Sequence, residues 1–268
     1  FLDRFAYIWP MCPMAARKKP QPLPELLPES RPLLRRLRFL ALRGLAGLAG
    51  FYAVLLVLFA FLPPVINIYQ VQESWRLGGI SKDWVGWDDI APVMARSVVA
   101  AEDANFCLHW GFDMAAIRDA IEDGGGRGAS TLSQQVVKNT FLWHGRSYVR
   151  KALEAAITPA MELLWTKRRI LHVYLNVAEF GEGIFGVEAA AQHYFGVSAR
   201  DLTATQAARL AAILPNPQGL SASEPSDFVR SRTRSIIGGA ETVSAGLQKA
   251  NIGERKTIND RINPMNLQ

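Results

Sequence analysis

The segment GLAGLAGFYAVLLVLFAFL, residues 44–62, constrains this chain more than any other. It carries no charge over 19 residues. At about 1.5 Å per residue in a helix it can cross a hydrocarbon core of about 30 Å. Pro63 and Pro64 then stop it. A cleaved signal peptide would have a shorter apolar stretch and a small-residue cleavage site, which Pro63-Pro64-Val65 does not resemble. The expectation is an uncleaved transmembrane helix over residues 44–66.

The flanking charge sets an orientation. Residues 15–43 hold eight basic side chains and two acidic ones, whereas residues 44–268 hold 21 of each. The net charge of +6 therefore belongs to the N-terminal tail, and the neutral remainder excludes a general nucleic-acid surface. Basic residues before the span place residues 1–43 in the cytoplasm and everything after Ile66 outside. Cys12 and Cys107 then lie on opposite sides of the membrane and cannot pair, and no Cys/His spacing reads as a zinc site. The chain begins at Phe1, with Met11 and Met14 as candidate initiators.

Beyond the span, residues 67–90 read as a connector carrying Trp75, Trp84 and Trp87. From about Ile90, segments such as PVMARSVVAAED, STLSQQVVKNTFLW and TATQAARLAAIL repeat apolar residues at helical spacing, with few strand signals. A mostly α domain is expected over residues 67–235, with a glycine-rich loop at 124–128 and a kink at Pro159. Residues 236–268 have weak periodicity and read as a poorly ordered tail.

Two stretches could carry chemistry. In AAEDANFCLHWGFD, residues 100–113, a continuous helix would gather Glu102, Phe106, His109 and Asp113 within an arc of roughly 60°. Asp103 would then be turned about 100° away. The residues alone leave open whether Glu102 is catalytic or a satisfied structural carboxylate. In GASTLSQQVVKN, residues 128–139, Thr131 and Gln134 form a capping box that opens a helix, and Lys138 follows one turn later. Seven basic residues against two acidic ones lie between Lys138 and Arg169. That cluster reads either as a solvated helix face with an Arg150–Glu154 pair or as an anion site beside a capped helix end.

Together AEDANFCLHWGFD, GASTLSQQVVKN, RKALE, RRILHVYLNVAEFGEGIFGVEAAAQHYFG and QAARLAAILPNP resemble, in order, the motifs of the peptidoglycan glycosyltransferases. The resemblance is close to the monofunctional biosynthetic peptidoglycan transglycosylases and covers residues 38–235. It implies a lysozyme-like α fold and polymerisation of lipid II into β-1,4-linked glycan strands at the outer face of the cytoplasmic membrane. It further implies Glu102 as the general base and Glu154 as a second carboxylate on the pyrophosphate side. Lys138, Arg146 and Arg150 match basic positions for the donor pyrophosphate. Ser130, Gln134, Asn139, Tyr174, Asn176 and Gly186 match cleft positions. The family also implies Mg²⁺ or Mn²⁺, for which the sequence shows no dedicated carboxylate cage. The implied partners are lipid II, the growing strand, the membrane and other cell-wall synthesis proteins.

Attack on a lipid pyrophosphate needs an ionised base and cations at an already anionic leaving group, whereas hydrolysis of a glycosidic bond needs a protonated acid there. The basic cluster therefore favours synthesis over a lytic enzyme on the same fold class, and the presence of Glu102 and Glu154 argues against a non-catalytic scaffold. A transpeptidase is not expected, since the chain contains no S-x-x-K and too few residues follow the glycosyltransferase region.

Overall fold

The computed structural model describes residues 32–124, 130–145 and 147–262. Arg146 and residues 125–129, most of the expected glycine-rich loop, lie outside the described residues. Two compact units divide after Leu48. Helix α1 (Pro32–Phe61) begins twelve residues before the uncharged run. Its Arg35–Phe61 portion is long and apolar enough to cross a membrane. Phe39, Leu40, Leu42, Leu45 and Leu48 are exposed at positions all around it, as expected of a helix whose solvent is lipid. In the first unit, the Arg43 guanidinium lies over the Phe39 ring.

In the second unit, the last turns of α1 meet the globular domain. Trp165 Nε1 donates to Leu56 O at 2.8 Å, and Arg169 donates to Phe59 O and Leu62 O. A cation on the orphan carbonyls at a helix C-terminus both caps the helix and complements its dipole.

The connector is more ordered than its composition suggested. It contains α2 (Ile68–Leu77), started by Asn67 and ended by Gly78 in the left-handed region, and strand β1 (Ser81–Lys82). β1 pairs in parallel with β3 (Ile184–Phe185), which pairs antiparallel with β2 (Glu179–Gly181), giving the order β1-β3-β2. Strands of two or three residues leave no readable alternation, which is why this sheet was not expected.

Helix α3 (Pro92–Glu102) has proline in its first turn and ends at Glu102. Residues 103–112 are not helical, so the continuous helix expected over residues 100–113 is corrected. Asp103 is the C-cap, with φ −162°, and Asp113 instead starts α4 (Met114–Glu122) by accepting from Ala115 N and Ala116 N.

The capping box predicted at Thr131 and Gln134 is formed and opens α5 (Leu132–Phe141). Helix α6 (Tyr148–Leu164) runs on through Pro159, and α7 (Lys167–Val177) follows after a short break at Trp165 and Thr166. α5 packs against both, and Leu132, Val136, Val137, Met161, Ile170 and Val173 are fully buried at this junction. Burying each contributes about 1.5–3 kcal/mol. After α8 (Val187–Phe195), α9 (Ala204–Ile213) packs with α3 and α10 (Asp227–Ile262). The boundary placed at residue 235 falls inside α10, where Ile236 and Ala240 are buried. Gly239 lets α10 approach α3 closely, and small residues such as Gly238, Gly239 and Ala240 keep its apolar periodicity weak.

Candidate active site

The end of α3 and one face of α5 build the site. Glu102, the last residue of α3, has a largely buried side chain whose two carboxylate oxygens meet different elements. Gln135 Nε2 on α5 donates to Oε2 at 3.0 Å, and Arg232 Nη2 on α10 lies 3.4 Å from Oε1. Tyr174 on α7 donates its buried hydroxyl to Gln135 Oε1 at 3.2 Å, so a neutral chain of donors leads to the carboxylate. Burial pushes the Glu102 carboxyl above the usual carboxylate range; Gln135, Arg232 and Lys138 oppose that push, and Asp103 adds to it.

Asp103, not Glu102, takes His109. The Nε2–H of His109 donates to both Asp103 oxygens, at 2.9 and 3.1 Å, and Leu132 N donates to Oδ2 at 2.9 Å. The buried Asp103 carboxylate thus joins the end of α3 to the first turn of α5. Asp113 faces Asn105 Nδ2 at 2.8 Å while capping α4. The Ala116 amide, then the Asn105 side chain, hold its carboxyl below the usual range. His109 and Asp113, expected on one helical face with Glu102, instead belong to a loop closed by its own hydrogen bonds.

Two cavities flank this arrangement. One of 190 Å³ is lined by Glu102, Asn105, Asp113, Ser130 and Thr131. The other, of 220 Å³, is lined by Gln135, Lys138, Asn139, Tyr174, Tyr69 and His144. Glu102 lines the first and its partner Gln135 lines the second. Burial lowers the affinity of Lys138 for its proton, and Glu154 is the largest influence restoring it. The Tyr69 and His144 rings stack at 3.5 Å in the same cavity. Burial, Lys138 and Arg150 push His144 down to about 4, so it is neutral near pH 7. A larger cavity of 520 Å³, lined by Trp87, Ile90, Val99 and Phe106 together with Cys107 and the charged Asp88, Arg96, Lys167, Arg168 and Arg200, contains neither Glu102 nor Lys138.

Glu154 is buried on α6 and forms ion pairs with Arg150, at 2.7 Å, and Lys151. Lys151 also reaches Ser130 Oγ at 3.3 Å. The Arg150–Glu154 pair expected from spacing is present, but its carboxylate is interior and organises two cations.

Other expected site residues have different tasks. Gln134 is buried and its Oε1 accepts from Thr131 N at 3.1 Å, so it is committed to the capping box. Asn176 is fully buried and holds Val85 and His172 backbone atoms rather than facing a cleft. Gly186 lies beneath it, with φ +86° and room for no Cβ, which would sit 2.9 Å from Asn176 O. The residues missed in sequence are Gln135 and Arg232. Gln135 had a readable signal, since it lies three residues before Lys138 and shares its helical face. Arg232 had none, being 130 residues from Glu102.

No group of three or more His, Cys, Asp or Glu side chains converges on a metal site among the described residues. Each nearby carboxylate is already engaged: Glu102 by Gln135, Asp103 by His109 and Leu132, Asp113 by Asn105, Ala115 and Ala116, and Glu154 by Arg150 and Lys151. These residues do not fit a resident divalent cation.

The comparisons agree with this architecture. The transglycosylase family model matches residues 70–241. A biosynthetic peptidoglycan transglycosylase of Jannaschia sp. (strain CCS1) is 64% identical over 216 residues, covering 81% of this chain and 90% of that protein. Proteins of the same description from Pectobacterium atrosepticum and Yersinia pseudotuberculosis serotype IB are 50% and 48% identical over 217 and 216 residues. Those matches cover 76% of this chain and 89% and 90% of the respective proteins. By this match, and with the mostly helical domain described above, the chain belongs to the transglycosylase family.

Proposed function

We propose that this chain is a peptidoglycan glycosyltransferase that polymerises lipid II into β-1,4-linked glycan strands. The observation that carries the reading is the Glu102 carboxylate. Its Oε2 accepts a hydrogen bond from Gln135, Arg232 stands at Oε1, and both favour the ionised form inside a desolvated site. A partly desolvated carboxylate is a stronger base than one in water, which suits proton removal from a sugar hydroxyl.

The acceptor's 4-hydroxyl oxygen forms the new bond to the donor's anomeric carbon while the bond from that carbon to the diphosphate oxygen breaks. The electron pair leaves with the diphosphate, and the hydroxyl proton passes to Glu102. One displacement converts an α-linked donor into a β-linkage. The leaving group needs positive charge rather than a proton, and Lys138, with Arg150 and Lys151 held by Glu154, supplies it. Ser130 and Asn139 line the two cavities where the sugars and the diphosphate would bind. No step here is assigned to a metal.

In this reading α1 anchors the chain in the cytoplasmic membrane with the N-terminus inside, and the site works at the outer face on a substrate held in the same bilayer. The grip of Trp165 and Arg169 on the end of α1 supports a domain seated at the membrane surface.

The full chain, purified in detergent and supplied with lipid II, is expected to give a lysozyme-sensitive polymer and release polyprenyl diphosphate. Soluble muropeptides from isolated cell wall, with no polymer from lipid II, would establish the lytic reading instead.

A further inference from the structure

The last helix reaches the base. Arg232 Nη2 donates to Ala101 O at 3.1 Å and stands 3.4 Å from Glu102 Oε1, so one nitrogen touches both the end of α3 and the carboxylate it presents. The guanidinium Nε is buried and has no hydrogen-bond partner.

The docking of α10 explains how that charge is aimed. Val229, Thr233, Ile236 and Ala240 are buried along one stripe of α10 beside Arg232. Gly239 passes so close to α3 that a Cβ there would lie 3.0 Å from Ala100 Cβ, two residues before the base. Helix α10 is therefore fixed against the turn of α3 that carries Glu102.

We propose that Arg232 is a positioning residue for Glu102, holding the orientation and ionised form of its carboxylate from α10, so that the C-terminal helix is part of the active site. This inference rests on the reading of Glu102 as the base. The charged groups facing Glu102 come from three elements: Asp103 beside it, Lys138 on α5 and Arg232 on α10. Tyr174 on α7 and Gln135 on α5 add uncharged polar groups. Asp103 opposes ionisation and the two cations favour it. Removing Arg232 leaves the Gln135 hydrogen bond and Lys138 to balance both Asp103 and burial.

The experiment measures lipid II polymerisation from pH 5 to 9 for the wild type, Arg232→Lys and Arg232→Gln, with Tm followed at each pH. In Arg232→Gln, the acid limb of the kcat profile should move up by about one pH unit, giving a loss of about tenfold below the limb and recovery toward wild-type rate above it. KM should change less than kcat. Arg232→Lys should restore most of the shift, because it returns the charge without the fork. An equal loss at every pH, or an acid limb in its wild-type position in both variants, would overturn the inference. Glu102→Gln is run alongside: full activity there defeats the base assignment itself, whereas an inactive Glu102→Gln with an unmoved Arg232→Gln limb defeats only the role of Arg232.

Discussion

Replacing Asp103 with alanine tests how the neighbouring carboxylates divide their work. Asp103 receives Leu132 N at 2.9 Å and His109 Nε2 at 2.9 Å, and its side chain is only 3% exposed. Hydrogen bonds to a charged group contribute about 1.5–3 kcal/mol each. Truncation also leaves the Leu132 amide at the buried start of α5 without its acceptor. The expected loss is about 4 kcal/mol, within a range of roughly 3–6. For a domain of this size each kcal/mol moves Tm by about 2–4 °C, so Tm should fall by about 8–16 °C. Asp103→Asn keeps an acceptor and should lose about half as much. In a double-mutant cycle, Asp103→Ala and His109→Ala should couple by at least about 0.5 kcal/mol, because each removes the other's partner. Thermal unfolding of the full chain in one detergent, at one pH, reads all three variants. A Tm within 2 °C of wild type for Asp103→Ala, or strictly additive effects with His109→Ala, would falsify the claim that Asp103 ties α3 to α5.

Other consequences follow from the same geometry. Burial raises the Glu102 pKa above its unfolded value, so stability due to this group is greatest at low pH and declines as pH rises through the window between the two values. Glu102→Gln should therefore have a higher Tm than wild type at pH 7.5, and the gain should vanish below about pH 4. Glu154→Gln breaks a buried pair and leaves Arg150 and Lys151 uncompensated beside Lys138; it should cost about 3–5 kcal/mol and lower donor-side turnover, read by Tm and by initial rate. Gly186→Ala places a Cβ 2.9 Å from Asn176 O at φ +86°, so denaturant unfolding should show a loss of about 2–4 kcal/mol.

What the sequence made legible was local. The uncharged run marks α1, Thr131 and Gln134 mark the start of α5, and the i,i+4 spacing marks the Arg150–Glu154 pair, because each signal is contained within a turn or one helical period. Helical periodicity also announced a mostly α domain. The limits appear where a distant partner decides the outcome. α3 stops at Glu102, and Asp103 turns away to accept a hydrogen bond from Leu132 N, 29 residues later. That contact reverses the expected grouping, giving His109 to Asp103 and leaving Glu102 to Gln135 and Arg232. The β1–β3 pairing joins Ser81 to Ile184, and two-residue strands carry no alternation to read. α10 was hidden by its glycines and polar residues, although those small residues allow the close approach that puts Arg232 on the base.

The resemblance identified a polymerase more firmly than it identified which side chains touch substrate. Gln134 and Gln135 are adjacent in sequence, yet one closes a helix cap and the other contacts Glu102. Motif position alone does not separate them. A helix turns about 100° per residue, so neighbouring residues face different surroundings.

The most direct test of the central claim is the initial rate of lipid II polymerisation by Glu102→Gln beside wild type, with Tm measured on the same preparations. The account predicts a loss of at least about 100-fold, the usual contribution of a positioned general base, in a protein at least as stable as wild type at pH 7.5. A folded Glu102→Gln enzyme working within tenfold of wild type would contradict it.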